Sequence, residues 1–279
     1  LGNLSESEDH YRRSLALAEE VGYPGGQAHA VNCIAIIAHT RGEMDQAVTL
    51  YRRAVRLASI AGDLRLTGML AQNRGVLANV RGDLDGALVR YFASLRSFED
   101  AKDDEGISWV LNNLGMLHTD MGSFEKAQDF LSRGLSIAKR RGDLHMEGLF
   151  ELNLAELFNS QERWEEADQH CRRSLEIAEE RGDPLRRAEA LKQRSILERG
   201  QGRLDSAGSN LLEAARLAGE GQDKLLGAEV FRELGEVQFQ AGDLAQAEES
   251  WLQALEGFQE LGAVLDARAV KERLAQIYP

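Results

Sequence analysis

Few residues of this chain have the type and spacing that chemistry demands. The six histidines, His10, His29, His39, His118, His145 and His170, are scattered along the sequence. His29 and His39 lie ten residues apart, about 15 Å along a helix, which is too far for both to hold one metal ion. Cys33 and Cys171 stand alone, with no Cys-x-x-Cys pair. Asp83-Leu84-Asp85-Gly86 has the opening of a calcium loop, but the later ligands and the closing Glu are missing, so Asp83 reads as a helix cap. No Lys follows a Gly, so there is no phosphate-binding P-loop, and neither His-Glu-x-x-His nor Gly-x-Ser-x-Gly occurs. Carboxylates abound, yet none is singled out as a general acid–base pair. The expectation is a protein without catalytic residues, metal or cofactor, and so not an enzyme.

Charge narrows the partners. The 279 residues carry 33 Lys+Arg against 46 Asp+Glu, a net −13. That balance argues against nucleic acid and against an anionic membrane surface, both of which need a basic stripe. No apolar run is long enough to cross a bilayer, and the first residues have neither the basic start nor the apolar stretch of a signal peptide. Two distant cysteines make no disulfide framework, so a reducing, cytoplasmic setting is expected. The acid excess is uneven. Residues 1–140 hold 16 basic and 18 acidic side chains, whereas residues 141–279 hold 17 and 28. An acidic half could steer a basic partner, but the favoured reading is a solvated outer face, which is ordinary for exposed helices.

The elements that position these residues repeat. Gly2, Gly42, Gly82, Gly122, Gly202 and Gly242 are spaced by multiples of 40, and the missing member, position 162, is Glu. Two residues on stand Leu4, Met44, Leu84, Phe124, Trp164, Leu204 and Leu244; three further stand Ser7 and then Ala47, Ala87, Ala127, Ala167, Ala207 and Ala247. Next come Tyr11, Tyr51, Tyr91, Leu131, Cys171, Leu211 and Trp251, and then small residues from Ser14 to Ala254. Steps of three and four define one face of a helix, called B here. A second small column, Ala35, Gly75, Gly115, Ala155, Ser195, Gly235 and Ala275, marks a helix A in the other half of each period. It is preceded by Ile34, Arg74, Leu114, Leu154, Arg194, Leu234 and Leu274. Glycine turns such as Arg81-Gly82-Asp83 and Gly182-Asp183 end one helix and cap the next, and Pro184 suits a first helical turn. Three prolines in the whole chain leave the helices unbroken.

The pattern predicts an all-α solenoid of about 14 antiparallel helices in a single domain over residues 1–279. A B helix at about 4–20 opens it, six complete hairpins follow at about 24–260, and an A helix at about 264–278 closes it. The opening B helix has no A partner and residue 1 is not Met, so the chain is expected to be a piece of a longer one.

These columns resemble the tetratricopeptide repeat. Leu114-Gly115 with His118, followed by Ala127, Leu131 and Gly134, shows the pattern, as does Leu154-Ala155 with Phe158, Ala167, Cys171 and Ser174. The standard unit has 34 residues and a closing proline. The unit here has 40 and no such proline, which is similar to the extended subclass of kinesin light chains, spindle-orientation scaffolds and the regulatory domains of large bacterial transcription activators. The resemblance implies a right-handed α-solenoid superhelix in which A helices line a concave surface that binds a peptide or protein segment. It also implies that an Asn just before the Leu-Gly pair contacts the peptide backbone. The matching positions are Asn73, Asn113 and Asn153, with Asn112 beside them. The alternative is that these amides bond to neighbouring helices. By helical phase Met69, Trp109 and Met116 face the same groove, a hot-spot composition; Trp109 packing against the adjacent A helix is the other reading. Further along, the groove turns charged, with Lys192, Arg199 and Arg232 among acids. The functions implied are a non-enzymatic interaction scaffold, or the sensory and regulatory region of a larger bacterial signalling protein whose groove engages other domains of the same chain. A purely structural, self-assembling role is the third.

Overall fold

The computed structural model describes residues 4–277. Gly2 of the glycine column and residue 278 of the expected last helix lie outside them. Among the described residues there are fourteen α-helices and no strand. In order they are α1 (Leu4–Glu20), α2 (Pro24–Thr40), α3 (Met44–Ala61), α4 (Leu64–Val80), α5 (Leu84–Asp100), α6 (Asp104–Asp120) and α7 (Phe124–Arg141). Then follow α8 (Leu144–Ser160), α9 (Trp164–Arg181), α10 (Pro184–Gly200), α11 (Leu204–Glu220), α12 (Lys224–Ala241), α13 (Leu244–Glu260) and α14 (Val264–Ile277). Odd-numbered helices are the B helices and even-numbered ones the A helices. The helices form two compact units, residues 1–137 and 138–279, with the division inside α7.

The turns account for the regularity. The Gly82 N–H donates to the Asn79 carbonyl at 2.8 Å and the Asp83 N–H to the Ala78 carbonyl at 2.9 Å, which closes α4. Asp83 then accepts from the Gly86 N–H at 2.9 Å, which opens α5. Asp63, Asp103, Asp143, Asp183, Asp223 and Asp243 cap their helices in the same way. Pro24 and Pro184 occupy first helical positions, where a missing N–H costs nothing. The residue before each cap is left-handed, as at Gly82 with φ 76°. The same conformation persists where the glycine is absent: Lys102, Glu162 and Gln222 have φ of 52°, 56° and 55°. The backbone bonds that close the preceding helix, such as Glu162 N–H to the Asn159 carbonyl at 3.0 Å and Arg163 N–H to the Phe158 carbonyl at 2.9 Å, hold such residues in a region that a Cβ disfavours, and Asp103 and Asp223 add a side-chain cap after Lys102 and Gln222.

Three A helices, α4, α6 and α12, meet the B helix that follows them through a glycine facing a large residue. A Cβ on Gly75 would lie 2.5 Å from the Tyr91 ring, one on Gly115 2.4 Å from Leu131, and one on Gly235 2.3 Å from the Trp251 ring. The partners are sixteen residues apart each time, and Tyr91, Leu131 and Trp251 are buried. Ala47, Ala87, Ala127, Ala167, Ala207 and Ala247 are fully buried in the B helices. Hydroxyls replace a methyl where they can bond to backbone. Ser94 donates to the Gly68 carbonyl at 2.7 Å, and Ser195 to the Ala207 carbonyl at 3.0 Å. The Trp251 indole N–H donates to the Arg232 carbonyl at 3.2 Å, so its polar edge is satisfied in the core. Within the first unit Ala28, Val31, Ala35, Tyr51, Leu70 and Leu77 form one core. Within the second, Leu191, Leu211, Leu217, Val230 and Leu234 form another, and Trp251, Phe258 and Val270 a third.

Two substitutions test this account by urea denaturation. Gly115→Val forces a branched side chain into the space of Leu131 and should destabilise the fold by about 1–3 kcal/mol. Lys102→Gly should stabilise it by about 0.5–1 kcal/mol, because relief of the left-handed strain exceeds the added entropy of glycine in the unfolded chain.

Candidate binding site

The first unit contains a cleft of about 750 Å³ on the side of its A helices. His29 comes from α2; Met69, Gln72 and Asn73 come from α4; Glu105, Gly106 and Trp109 come from α6; Tyr23 stands at one edge. The helix starts are fixed by their caps, with the Leu66 N–H on Asp63 at 3.0 Å and the Gly106 N–H on Asp103 at 3.3 Å. The second oxygen of Asp103 faces Arg65 at 3.3 Å, tying the start of α4 to that of α6. Phe98, buried at the end of α5, forms the floor. It fits because its neighbours are glycines: a Cβ on Gly106 would lie 2.3 Å from its ring and one on Gly68 3.0 Å. Close approach at Gly68 and Gly106 thus places Met69 and Trp109, further along the same two helices, beside one cavity.

The amide of Asn73 donates from Nδ2 to Oδ1 of Asn32 on α2 at 2.9 Å. Asn32 is 1% exposed. A carboxamide offers two donors and an acceptor with two lone pairs, and this bond uses one of the donors. It also orients the side chain, so the structural and the ligand-facing readings of Asn73 coexist. His29 lies with Nδ1 3.8 Å from the Cys33 sulfur. Burial pushes the Cys33 thiol above its ordinary value, while a hydrogen bond with Tyr11 acts in the opposite direction. A thiol kept protonated in this way is a poor nucleophile.

The residues expected from sequence divide between the two units. Met69, Asn73 and Trp109 line the cleft together. Asn112, Asn113 and Met116 follow on α6, half-buried and outside the cleft lining. Asn153 is on α8 in the second unit and is buried, at 6% exposure. Lys192 on α10 is paired with Glu229 on α12. Arg232 on α12 reaches Asp266 on α14 at 2.9 Å and Glu233 at 3.6 Å, with its guanidinium 5.7 Å above the Phe258 ring. Sequence reasoning passed over Asn32, Gln72, Tyr23 and Arg65. Gln72 carried a signal, since Gln72-Asn73 stands 40 residues before Asn112-Asn113.

In the second unit, neighbouring A helices are joined by lateral struts. Besides Lys192–Glu229 and Arg232–Asp266, Arg199 meets Glu233 at 3.4 Å, Arg273 bonds to Glu236, and the Asn159 amide donates to the Gln193 carbonyl at 2.8 Å. Deeper in, Glu151 is 4% exposed and takes His170 at 2.5 Å and Lys139 at 2.9 Å. Burial pushes its carboxyl up, but the hydrogen bonds from His170 and Lys139 outweigh it and hold the group below its ordinary value. The charges of this unit's A helices are largely spent on each other. In the first unit the cleft presents amides, a thioether and aromatic rings beside His29, Glu105 and the Arg65–Asp103 pair.

No helix among the described residues is long and apolar enough to cross a membrane. No curated protein matches the chain in sequence. Solved structures share its fold at low identity. The Cut9–Hcn1 hetero-tetramer of the APC/C is 14% identical over 99% of this chain and 47% of that one, with a TM-score of 0.71. A Rap protein complexed with competence and sporulation factor is 15% identical over 98% and 85%, with a TM-score of 0.65. A signal transduction ATPase with a tetratricopeptide repeat sensor, from Pyrococcus horikoshii, is 17% identical over 98% and 43%, with a TM-score of 0.63. The chain thus spans less than half of two of these relatives. The tetratricopeptide repeat matches residues 228–253, and the family described as the MalT-like TPR region matches residues 1–216. This α-solenoid belongs to the family of MalT-like tetratricopeptide-repeat regions.

Proposed function

We propose that the chain is a non-enzymatic interaction module that holds a short extended peptide segment in the cleft of its first unit. The observation that carries this reading is the joint placement of Asn73, Met69 and Trp109 on one concave surface. An oriented amide hydrogen-bonds main chain with little demand on sequence, while Trp and Met accept an apolar side chain. The cleft is of the size that small ligands and single peptide side chains fill. The solved Rap protein in complex with competence and sporulation factor supports the use of such a solenoid for binding.

A second reading puts the same cleft to regulatory use within a longer signalling protein, where it takes an effector or a segment of a neighbouring domain. The match to the MalT-like region and the likeness to an ATPase with a tetratricopeptide repeat sensor favour it. Under both readings the groove residues Asn112, Asn113 and Met116 extend the surface along α6, while Asn153, Lys192 and Arg232 act chiefly within the second unit.

Peptide display against the chain, followed by calorimetry, tests the proposal. Selected peptides should bind the wild type, and Trp109→Ala should weaken them by about 1–3 kcal/mol at an unchanged unfolding midpoint. Unchanged affinity in Trp109→Ala, with a matching loss of folding stability, would assign Trp109 to the core and overturn the reading.

A further inference from the structure

A second cavity of the first unit, about 330 Å³, lies among α3, α4 and α5 and away from the peptide cleft. Arg52, Arg74, Arg81 and Arg90 line it, with Tyr51, Ala78 and a single acid, Asp83. Four guanidinium groups around one small cavity are unexpected in a chain of net charge −13. Arg90 donates to the Gly86 carbonyl at 2.5 Å and stands 3.7 Å from Asp83. Among the described residues Arg52, Arg74 and Arg81 make no ion pair. Arg74 is half-buried, and burial, followed by the charges of Arg90 and Arg52, pulls its guanidinium below the ordinary value.

The repeats supply an internal comparison. Arg74 occupies a column filled by Ile or Leu except at one other position, Arg194, three periods on. Four residues after Arg194 stands Glu198, 3% exposed, and sixteen after it stands Asn210. The Glu198 carboxylate takes Arg194 at 3.3 Å and the Asn210 amide at 2.8 Å. The corresponding residues in the earlier repeat are Ala78 and Arg90. Other repeats fill the same two positions with groups that satisfy each other. His118 stacks on Phe130 at 5.4 Å, Phe158 on His170 at 5.3 Å, and Gln238 hydrogen-bonds to Ser250 at 2.7 Å. The repeat before it carries the apolar pair Ala38 and Leu50 beside Ile34, so no charge there lacks a partner; among the described residues only the Arg74 repeat has cations at both 74 and 90 with no acid at the position between them. A methyl group stands where the carboxylate would be, and the cavity opens over it.

We propose that this cavity is a binding site for a phosphate group, whose oxygens occupy the place that the Glu198 carboxylate takes three repeats later. A guanidinium fork matches phosphate oxygens bidentately, and four cations facing one acid call for more than a single negative charge. The volume admits a phosphate with part of a small molecule attached. The site is independent of the peptide cleft and stands or falls apart from it.

The probes are inorganic phosphate, pyrophosphate and acetate at low millimolar concentration, each against chloride at equal ionic strength. Phosphate or pyrophosphate should raise the thermal midpoint of the wild type, and acetate should not. Preference for pyrophosphate marks a phosphoanhydride source and preference for phosphate a monoester. In Arg74→Met the rise should vanish and affinity by calorimetry should fall about tenfold or more, the loss of one charged hydrogen bond. Ala78→Glu, which restores the internal carboxylate, should raise the midpoint in chloride and abolish the response to phosphate; it serves also if Arg74→Met fails to fold. A general salting effect would leave the response of both variants unchanged. That result, or equal midpoints in phosphate and chloride for the wild type, would overturn the proposal.

Discussion

The close approach of each A helix to the B helix after it is the constraint on which everything else rests. It requires a residue with little or no side chain opposite a bulky one, and Gly75 with Tyr91, Gly115 with Leu131 and Gly235 with Trp251 meet that requirement within 2.3 to 2.5 Å of a missing Cβ. A single hairpin built this way still leaves an apolar face uncovered, which the next hairpin buries. The 40-residue period follows, because two helices of about 17 residues and two tight turns fill it. The turns add little freedom, since one short Gly-Asp segment both ends a helix and caps its successor.

Once the small columns fix the hairpins, the outward A-helix positions are released from packing and can be spent in different ways. In the second unit they are spent on cohesion: Lys192, Arg199, Arg232 and Arg273 each reach an acid on a neighbouring A helix. Such pairs are worth little singly where water reaches them, but together they fix the spacing of adjacent helices. The first unit has few of them on its A helices. There the surface opens into a cleft floored by Phe98 and edged by Met69, Asn73 and Trp109. The same scaffold thus yields one unit whose A-helix groups are mutually satisfied and one that still offers donors, acceptors and apolar surface.

Most of the fold was legible as columns. Spacing placed the opening helix at Leu4–Glu20 and the start of the closing one at Val264, and the Asp83 cap is where its motif context put it. Glu162 shows the limit of reading by residue type: it breaks the glycine column, yet its backbone is left-handed like the rest. Local context, not the residue, imposes that conformation. The site was legible in part. Met69, Asn73 and Trp109 share a helical phase and do share a cleft. The struts were not, because they join residues 34 or 37 apart, separations that belong to no helical repeat and appear only once helices are packed side by side. For the same reason the burial of Asn153 and the bond between Asn32 and Asn73 needed the structure. Arg74 was visible as an exception in a column of Ile and Leu, but its lack of a counter-ion became evident only against the Arg194–Glu198 pair.

The most direct test is a structure of the chain with a display-selected peptide bound. The account predicts peptide main chain hydrogen-bonded to the Asn73 amide, with one apolar side chain seated between Met69 and Trp109 above Phe98. A peptide lying on the ion-paired A helices of the second unit or on the B helices, with the first cleft empty, would contradict it.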